Sequence, residues 1–394
     1  MTVFDELAGQ RAAVEVLQKA AGAAAAIVRG DQVPAGAMTH AWLFTGPPGS
    51  GRSMAARAFA AALQCVNGGC GTCAACHTTL GGTHADVRFV VPDGLSIAVS
   101  EMRALVLRAA SSPTQGRWQV LLVEDADRLT EAAGNALLKA IEEPPPRTVF
   151  LLCTPSTHPE DVSVTIRSRC RVVSLTTPSA AAIAGVLVAR DGASEADAAW
   201  AAAAAQGHVG RARKLARDPA SRDRRQAVLG IPRKLTSISA AFDAAAMLIS
   251  SAEEEAAASV SEVSAKEKAE LETALGAGGT GKGAAAAARG TAGILKDLER
   301  KQKSRATRAQ RDALDRALMD LAGLYRDVLA FTLKSGTAPV HADVAEMTRA
   351  AAAKWTPESA LRRLEAVLAC REAIDANVKP KIAVEAMMLS LWQG

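Results

Sequence analysis

The chain has 394 residues, 49% of them hydrophobic and 22% charged, which is enough for two or three domains with sizeable buried cores. A net charge of +5 is mild: it permits contact with nucleic acid without predicting it. The opening run MTVFDELAGQ carries two acids and no base, and the apolar stretch Ala20–Val28 is far short of the ~20 residues a bilayer span needs, so a cytoplasmic protein with no secretory leader and no membrane partner is expected.

Aromatics are only 3% and alanine is abundant, which predicts helices packed through small side chains. Up to residue 178, short apolar runs alternate with helical stretches. The runs Ala41–Phe44, Val87–Val91, Val120–Val123, Val149–Leu152 and Val172–Leu175 read as strands buried on both faces, and helices between them imply a parallel sheet. Residues 1–178 are therefore expected to form an α/β domain, 179–218 an all-helical segment with the basic end RARKLAR, and 219–394 a second helical domain. Within the last, residues 250–290 are rich in Ala, Glu and Gly and read as a flexible insertion or a helical arm. Leu314, Leu318, Leu321, Leu324, Val328 and Leu329, then Leu361, Leu364 and Leu368, recur at three- and four-residue spacing and mark two amphipathic helices that need a partner surface.

The first strand runs into Gly46-Pro47-Pro48-Gly49-Ser50-Gly51-Arg52-Ser53 and then a helical pattern. Such a loop surrounds phosphate with backbone N–H groups at a helix N-terminus, and Ser53 stands where a hydroxyl reaches Mg²⁺. The departure is Arg52 in place of lysine: a guanidinium is wide and directional where an ammonium is a point charge. The third strand ends in Glu124 and Asp125, in the reverse of the usual order. The first is one methylene too long for the metal and the second one too short for the attacking water, and ~1 Å of misplacement costs ~100-fold in rate. ATP or ADP with Mg²⁺ could be held here, but productive hydrolysis is not expected.

Cys65, Cys70, Cys73 and Cys76 crowd a glycine-broken loop. Four soft ligands with C-x₂-C steps suit tetrahedral Zn²⁺ in a closed structural site. An iron–sulfur cluster and a set of free thiols are the alternatives. Ser100 is expected to cap a helix whose first amides, with Arg103, face DNA phosphate. The basic segments Arg211–Arg217, Arg222–Arg225 and Glu299–Arg311 contain no interleaved aromatics, so they offer no platform for stacking bases and read as solvated helix faces.

The run EDADRLTEAAGNALLKAIEEPPPRTVFLLCTPSTHPEDVSVTIRSRC (residues 124–170) resembles the bacterial clamp-loader branch of the AAA+ ATPases, and NVKPKIAVEAMML (377–389) resembles that family's C-terminal collar. The resemblance covers roughly residues 1–215. It implies an AAA+ domain with an inserted zinc module at 65–76, a helical lid at 179–218 and a collar for hetero-oligomerisation at 219–394. It further implies that Arg169 acts in trans on the ATP site of a neighbouring subunit, that Thr154 stands at the sensor-1 position, and that Arg211 lies one residue past the sensor-2 arginine. Implied partners are the gamma/tau and delta subunits, the sliding clamp and primer–template DNA. Arg52 and the Glu124–Asp125 order fit the family's rigid stator rather than its ATP-driven motors, while a motor that hydrolyses ATP itself is the rival reading. A regulatory AAA+ protein outside replication is a second rival, disfavoured by NALLKAIEEPP together with SRC.

Overall fold

The computed structural model describes residues 2–274 and 284–394, with the side chains of 272–293 left aside. It divides into two compact units, 1–217 and 218–394. Among the described residues no helix is long and apolar enough to cross a membrane.

The first unit is built on five parallel strands: β1 (Ala41–Thr45), β2 (Val87–Val90), β3 (Gln119–Val123), β4 (Thr148–Thr154) and β5 (Arg171–Ser174). Their spatial order is β2-β3-β4-β1-β5, with every pairing parallel. Strands β1, β3 and β4 are buried along their whole length, as their unbroken apolar runs require. The two outer strands correct the expectation of burial on both faces. Only Val173 of β5 is buried, and β2 exposes Arg88, because an edge strand has a neighbour on one side only.

Helices α1 (Arg11–Arg29), α2 (Arg52–Gln64) and α3 (Ala74–Leu80) belong to one core, with Trp42, Phe44 and Phe59 at its centre. On the other face lie α4 (Val99–Ala109), α5 (Glu131–Glu142) and the single turn α6 (Val164–Arg167), packed through Met102, Leu137, Ile141 and Phe150. Helix α2 buries Ala55, Ala56, Ala58, Ala60, Ala61 and Ala62, so small side chains let it lie close on the sheet. Helices α7 (Ala180–Asp191), α8 (Glu195–Ala204) and α9 (Val209–Arg217) form their own small core. The hydroxyls of Ser179 and Ser194 accept the Ala182 and Asp197 N–H groups and so fix the starts of α7 and α8.

The second unit is all helix: α10 (Pro219–Leu229), α11 (Ile231–Lys234), α12 (Ile238–Ala274), α13 (Ala284–Thr332), α14 (Ala345–Ala352), α15 (Pro357–Asp375) and α16 (Pro380–Gln393). Residues 250–274 thus continue helix α12 and 284–290 open α13, while 275–283 lie outside the described residues. The leucine row of α13 is buried from Leu314 to Val328. The row expected on α15 is displaced: Ala360, Val367, Cys370 and Ile374 are buried, whereas Leu361 and Leu368 are exposed. One position is 100° of helix, so a row chosen one residue late faces the flank of the core.

Candidate functional site

The groups singled out in the sequence meet at one edge of the sheet. Because all strands are parallel, the ends of β1, β3 and β4 deliver the glycine loop, Glu124–Asp125 and Thr154 to the same side, where open α/β sheets present ligands. Gly46–Gly51 links β1 to α2, whose first amides have no partner within the helix and so face the loop. Pro47 and Pro48 lie in the loop, and the Pro47 carbonyl accepts the Ser50 N–H at 3.1 Å. Gly49 must be glycine: its φ is +84°, and a Cβ there would lie 2.5 Å from the His208 ring. His208, just ahead of α9, therefore sits directly over the loop.

Arg52 does not reach out of the loop. Its Nη1 donates to the Gly46 carbonyl at 2.6 Å, closing the loop on itself. Ser53 follows it in the first turn of α2, half-buried. Glu124 is held by Arg57 of α2, through Nε and Nη2 each 2.8 Å from Oε1, and the same guanidinium lies 4.4 Å from the Phe89 ring centre. Asp125 adopts φ +49° at the turn that follows β3. Beside it, burial and then the Asp125 charge push the Asp127 carboxyl up. The Thr154 hydroxyl donates to the Ser156 carbonyl at 2.8 Å. Arg211 lies in the first turn of α9, its N–H bonded to His208 Nδ1 at 3.2 Å.

Arg169 lies elsewhere. Trp42 is level with Arg171 and Thr45 with Ser174, so Arg169 precedes the start of β5 while Gly46 follows the end of β1. At ~3.3 Å per residue, more than about 13 Å of strand separates the two levels. Arg169 is exposed and pairs with Glu142 at the end of α5, at 2.6 Å, while its Nη1 donates to the Thr165 carbonyl at 3.0 Å.

The expected cap at Ser100 is corrected. Helix α4 is capped at Ala98 with no side-chain bond, and Ser100 and Arg103 lie exposed in its first turns. The cause is the bridge between Ile97 and Leu129, in which the Ile97 N–H donates to the Arg128 carbonyl at 2.8 Å. It keeps the chain extended through Ala98, so the helix starts before Ser100 can take the cap position.

The four cysteine sulfurs lie within 4.8 Å of one another. Cys65 Sγ is 3.7 Å from that of Cys70 and 3.6 Å from that of Cys73. A tetrahedron with metal–sulfur bonds of ~2.3 Å has edges of about 3.8 Å, so the set fits a zinc ion. Cys65 Sγ also accepts the Asn67 and Cys70 N–H groups, and Cys73 Sγ accepts that of Cys76. Bonds from Thr72 and Cys73 lower the Cys70 thiol to about 6, favouring thiolate, whereas burial pushes Cys76 up. Four sulfur ligands would leave no open position, so a bound ion would cross-link the loop rather than carry out chemistry.

Four site residues carry no signal in the sequence. Gln10, 166 residues from Thr176, donates to its carbonyl at 2.7 Å and to that of Ser50 at 3.2 Å, tying the loop to the segment after β5. Arg57, Glu142 and His208 are likewise defined by partners distant in the chain.

The sheet with its glycine loop defines an AAA+-type P-loop module. Residues 27–179 match the family described as DNA polymerase III, delta subunit. The gamma/tau subunit of Mycobacterium tuberculosis is 40% identical over 140 residues, 34% of this chain and 24% of that one. The delta' subunits of Bacillus subtilis and Pseudomonas aeruginosa are 33% and 38% identical over 157 and 149 residues, covering 39% and 36% of this chain and 47% and 45% of theirs. Over this stretch the chain is similar to bacterial clamp-loader subunits of both the delta' and the gamma/tau kind. Its matched segment spans about a quarter of the gamma/tau relatives and just under half of the delta' ones. Among solved structures, a DNA polymerase III gamma subunit-related protein of Thermotoga maritima is 14% identical and covers 95% of this chain and 99% of that one, at a TM-score of 0.41, too loose a match to carry an argument.

Proposed function

We propose that the chain is the stator, delta-prime-type subunit of a clamp loader. In this reading 179–218 is the lid and 219–394 the collar, through which the chain joins gamma/tau and delta subunits and helps open the sliding clamp on primed DNA. The observation that carries the reading is the occupation of both catalytic positions from within: Arg52 is bonded to its own loop carbonyl and Glu124 is clamped by Arg57. A glutamate in a short ion pair is a poor orienter of water, and a guanidinium on Gly46 is turned away from phosphate.

Arg169 supports the other half of the reading. It is exposed and lies at the sheet edge opposite its own loop, so a nucleotide that it served would be one held by a neighbouring subunit. A guanidinium supplied in trans is worth ~10³–10⁵ in rate in other phosphoryl-transfer systems. Zinc at Cys65, Cys70, Cys73 and Cys76 would rigidify the loop beneath the N-terminal segment.

The test is calorimetry of Mg-ATP with the purified chain, followed by reconstitution with gamma/tau and delta subunits. A stator shows no saturable binding on its own yet is required for clamp-dependent ATP turnover by the complex. Saturable, magnesium-dependent binding together with turnover that survives Arg169→Ala would identify a motor instead.

A further inference from the structure

We propose that α13 carries a binding surface for the phosphate backbone of duplex DNA, formed by the outward row Lys296, Arg300 and Lys303. Between residues 296 and 311 this helix has seven bases, Lys296, Arg300, Lys301, Lys303, Arg305, Arg308 and Arg311, against two acids, Asp297 and Glu299. That excess of five is partly neutralised where Arg305 pairs with Glu267 and Arg308 with Asp312, which leaves the outward-facing cations of the segment to supply its positive field.

The partner helix directs that charge outward. Along the seam with α12, Arg305 binds Glu267 with Nη1 3.0 and 3.1 Å from its two carboxylate oxygens, and Arg316 binds Glu255 at 2.9 Å. Gln302 donates to the Ser264 carbonyl at 2.9 Å. The seam-facing side of α13 is thus fixed at positions 302 and 305, and Lys296, Arg300 and Lys303 fall on the opposite side by helical spacing. All three are exposed. Lys296, Lys301 and Lys303 form no ion pair with a described residue, and Arg300 makes only an exposed pair with Asp297, a contact that contributes little and yields readily to a stronger anion.

At ~1.5 Å per residue, Arg300 and Lys303 stand about 6 and 10 Å along the axis from Lys296. Those intervals are close to two and three of the 3.4 Å steps of one DNA strand. No aromatic residue lies between 296 and 311, so stacking on unpaired bases and base readout are both unsupported. The surface is therefore one for charge alone: sequence-independent and steeply dependent on salt. It stands on the charge distribution and does not rest on the clamp-loader reading.

The experiment is fluorescence anisotropy of a labelled duplex of mixed sequence with the full chain, repeated from 50 to 200 mM salt. The triple variant Lys296→Ala, Arg300→Ala, Lys303→Ala is compared with Lys266→Ala, Lys268→Ala on α12, with circular dichroism as the check on helix content. Three lost phosphate contacts should make the slope of log K against log salt shallower by about three and weaken binding at 50 mM at least tenfold. The α12 variant should keep most of both. Equal losses per charge in the two variants would reduce the effect to net charge and overturn the proposal. Absence of duplex binding by the wild-type chain at 50 mM, or capture by anionic vesicles in preference to the duplex, would also overturn it.

Discussion

Arg52 donates to the carbonyl of Gly46 at 2.6 Å, so the side chain that should meet a nucleotide's phosphates instead closes the loop meant to hold them. Lysine at this position would present a compact ammonium without the planar fork that matches a carbonyl at the loop's own rim. Arg52→Lys is expected to raise Mg-ATP affinity at least tenfold over the wild-type chain, read by calorimetry. Equal affinities would mean that Arg52 is not what weakens the loop.

Arg169 and Glu142 form an exposed pair, with 37% and 45% of their side chains accessible. Such a pair contributes ~0–1 kcal/mol to stability. Arg169→Ala should therefore leave the chain's melting temperature within a few degrees while reducing ATP turnover of the reconstituted complex by ~10³-fold. Turnover that stays unchanged sinks the trans role; a large loss of stability would make Arg169 a structural residue.

What the sequence revealed and what it hid divide along a physical line. Strands β1, β3 and β4 were legible because burial on two faces demands unbroken apolar runs, and the glycine loop and four cysteines because their chemistry needs fixed local spacing. Contacts between distant segments were not. Gln10 bridges Ser50 and Thr176, and Arg57 meets Glu124, only after the sheet has brought them together. Ser100 failed as a cap because a tertiary bridge at Ile97, and not the local polar residue, set the start of α4. Leu361 and Leu368 misled because leucine spacing locates a helical face only to within about one position, and alanine and cysteine hold the buried one.

The cysteine loop underlies the N-terminal segment: the Val3 N–H donates to the Gly69 carbonyl at 2.9 Å, and Val3, Phe4 and Leu7 are buried. Purified protein should contain one zinc per chain by elemental analysis. Cys76→Ser removes a buried ligand, and metal content should fall well below one. Because metal binding is coupled to folding of its loop, we expect a melting temperature lower by on the order of 5 °C and faster proteolysis near residue 10. Iron in place of zinc, or full stability after metal loss, would contradict this.

Asp86, almost fully buried ahead of β2, anchors the turn before β3. It accepts the Thr114 and Gln115 N–H groups at 2.8 Å each, the Thr114 hydroxyl at 2.8 Å, and the Gly116 N–H. Burial works to raise its pKa, but these hydrogen bonds hold it down to about 2 from 3.8. A depressed carboxyl stabilises the fold above pH ~4, and that contribution is lost as pH falls through about 2. Its size is about 2 kcal/mol. In urea unfolding, Asp86→Asn should cost about that much at pH 7, with the gap from wild type closing toward pH 2. A gap that is independent of pH would assign the cost to altered packing instead.

In the second unit, Arg225 Nη2 donates to His341 Nδ1 at 2.9 Å, and His341 Nε2 lies 3.0 Å from the Asp320 carbonyl. Arginine can only donate, so Nδ1 must accept and the ring must be the neutral tautomer with its proton on Nε2. Asp327 receives the His341 N–H at 2.8 Å, and Asp343 takes the Arg225 guanidinium. Burial, and then the Arg225 charge, outweigh the nearby Asp320 and Asp327 and lower the His341 pKa from 6.5. Below pH 6.5 the unfolded chain binds a proton that the folded one refuses, so stability rises with pH across that window and is lost as pH falls from 6.5 toward the folded value. Ring nitrogen shifts should report a His341 midpoint below 6.5, and the urea midpoint of the second unit should fall between pH 7.5 and 5.5. In His341→Gln, which has no proton to gain there, the acid loss should be smaller. An equal loss in both proteins would place the acid sensitivity in other groups, and a midpoint at or above 6.5 would mean that the Arg225 contact does not keep the ring neutral.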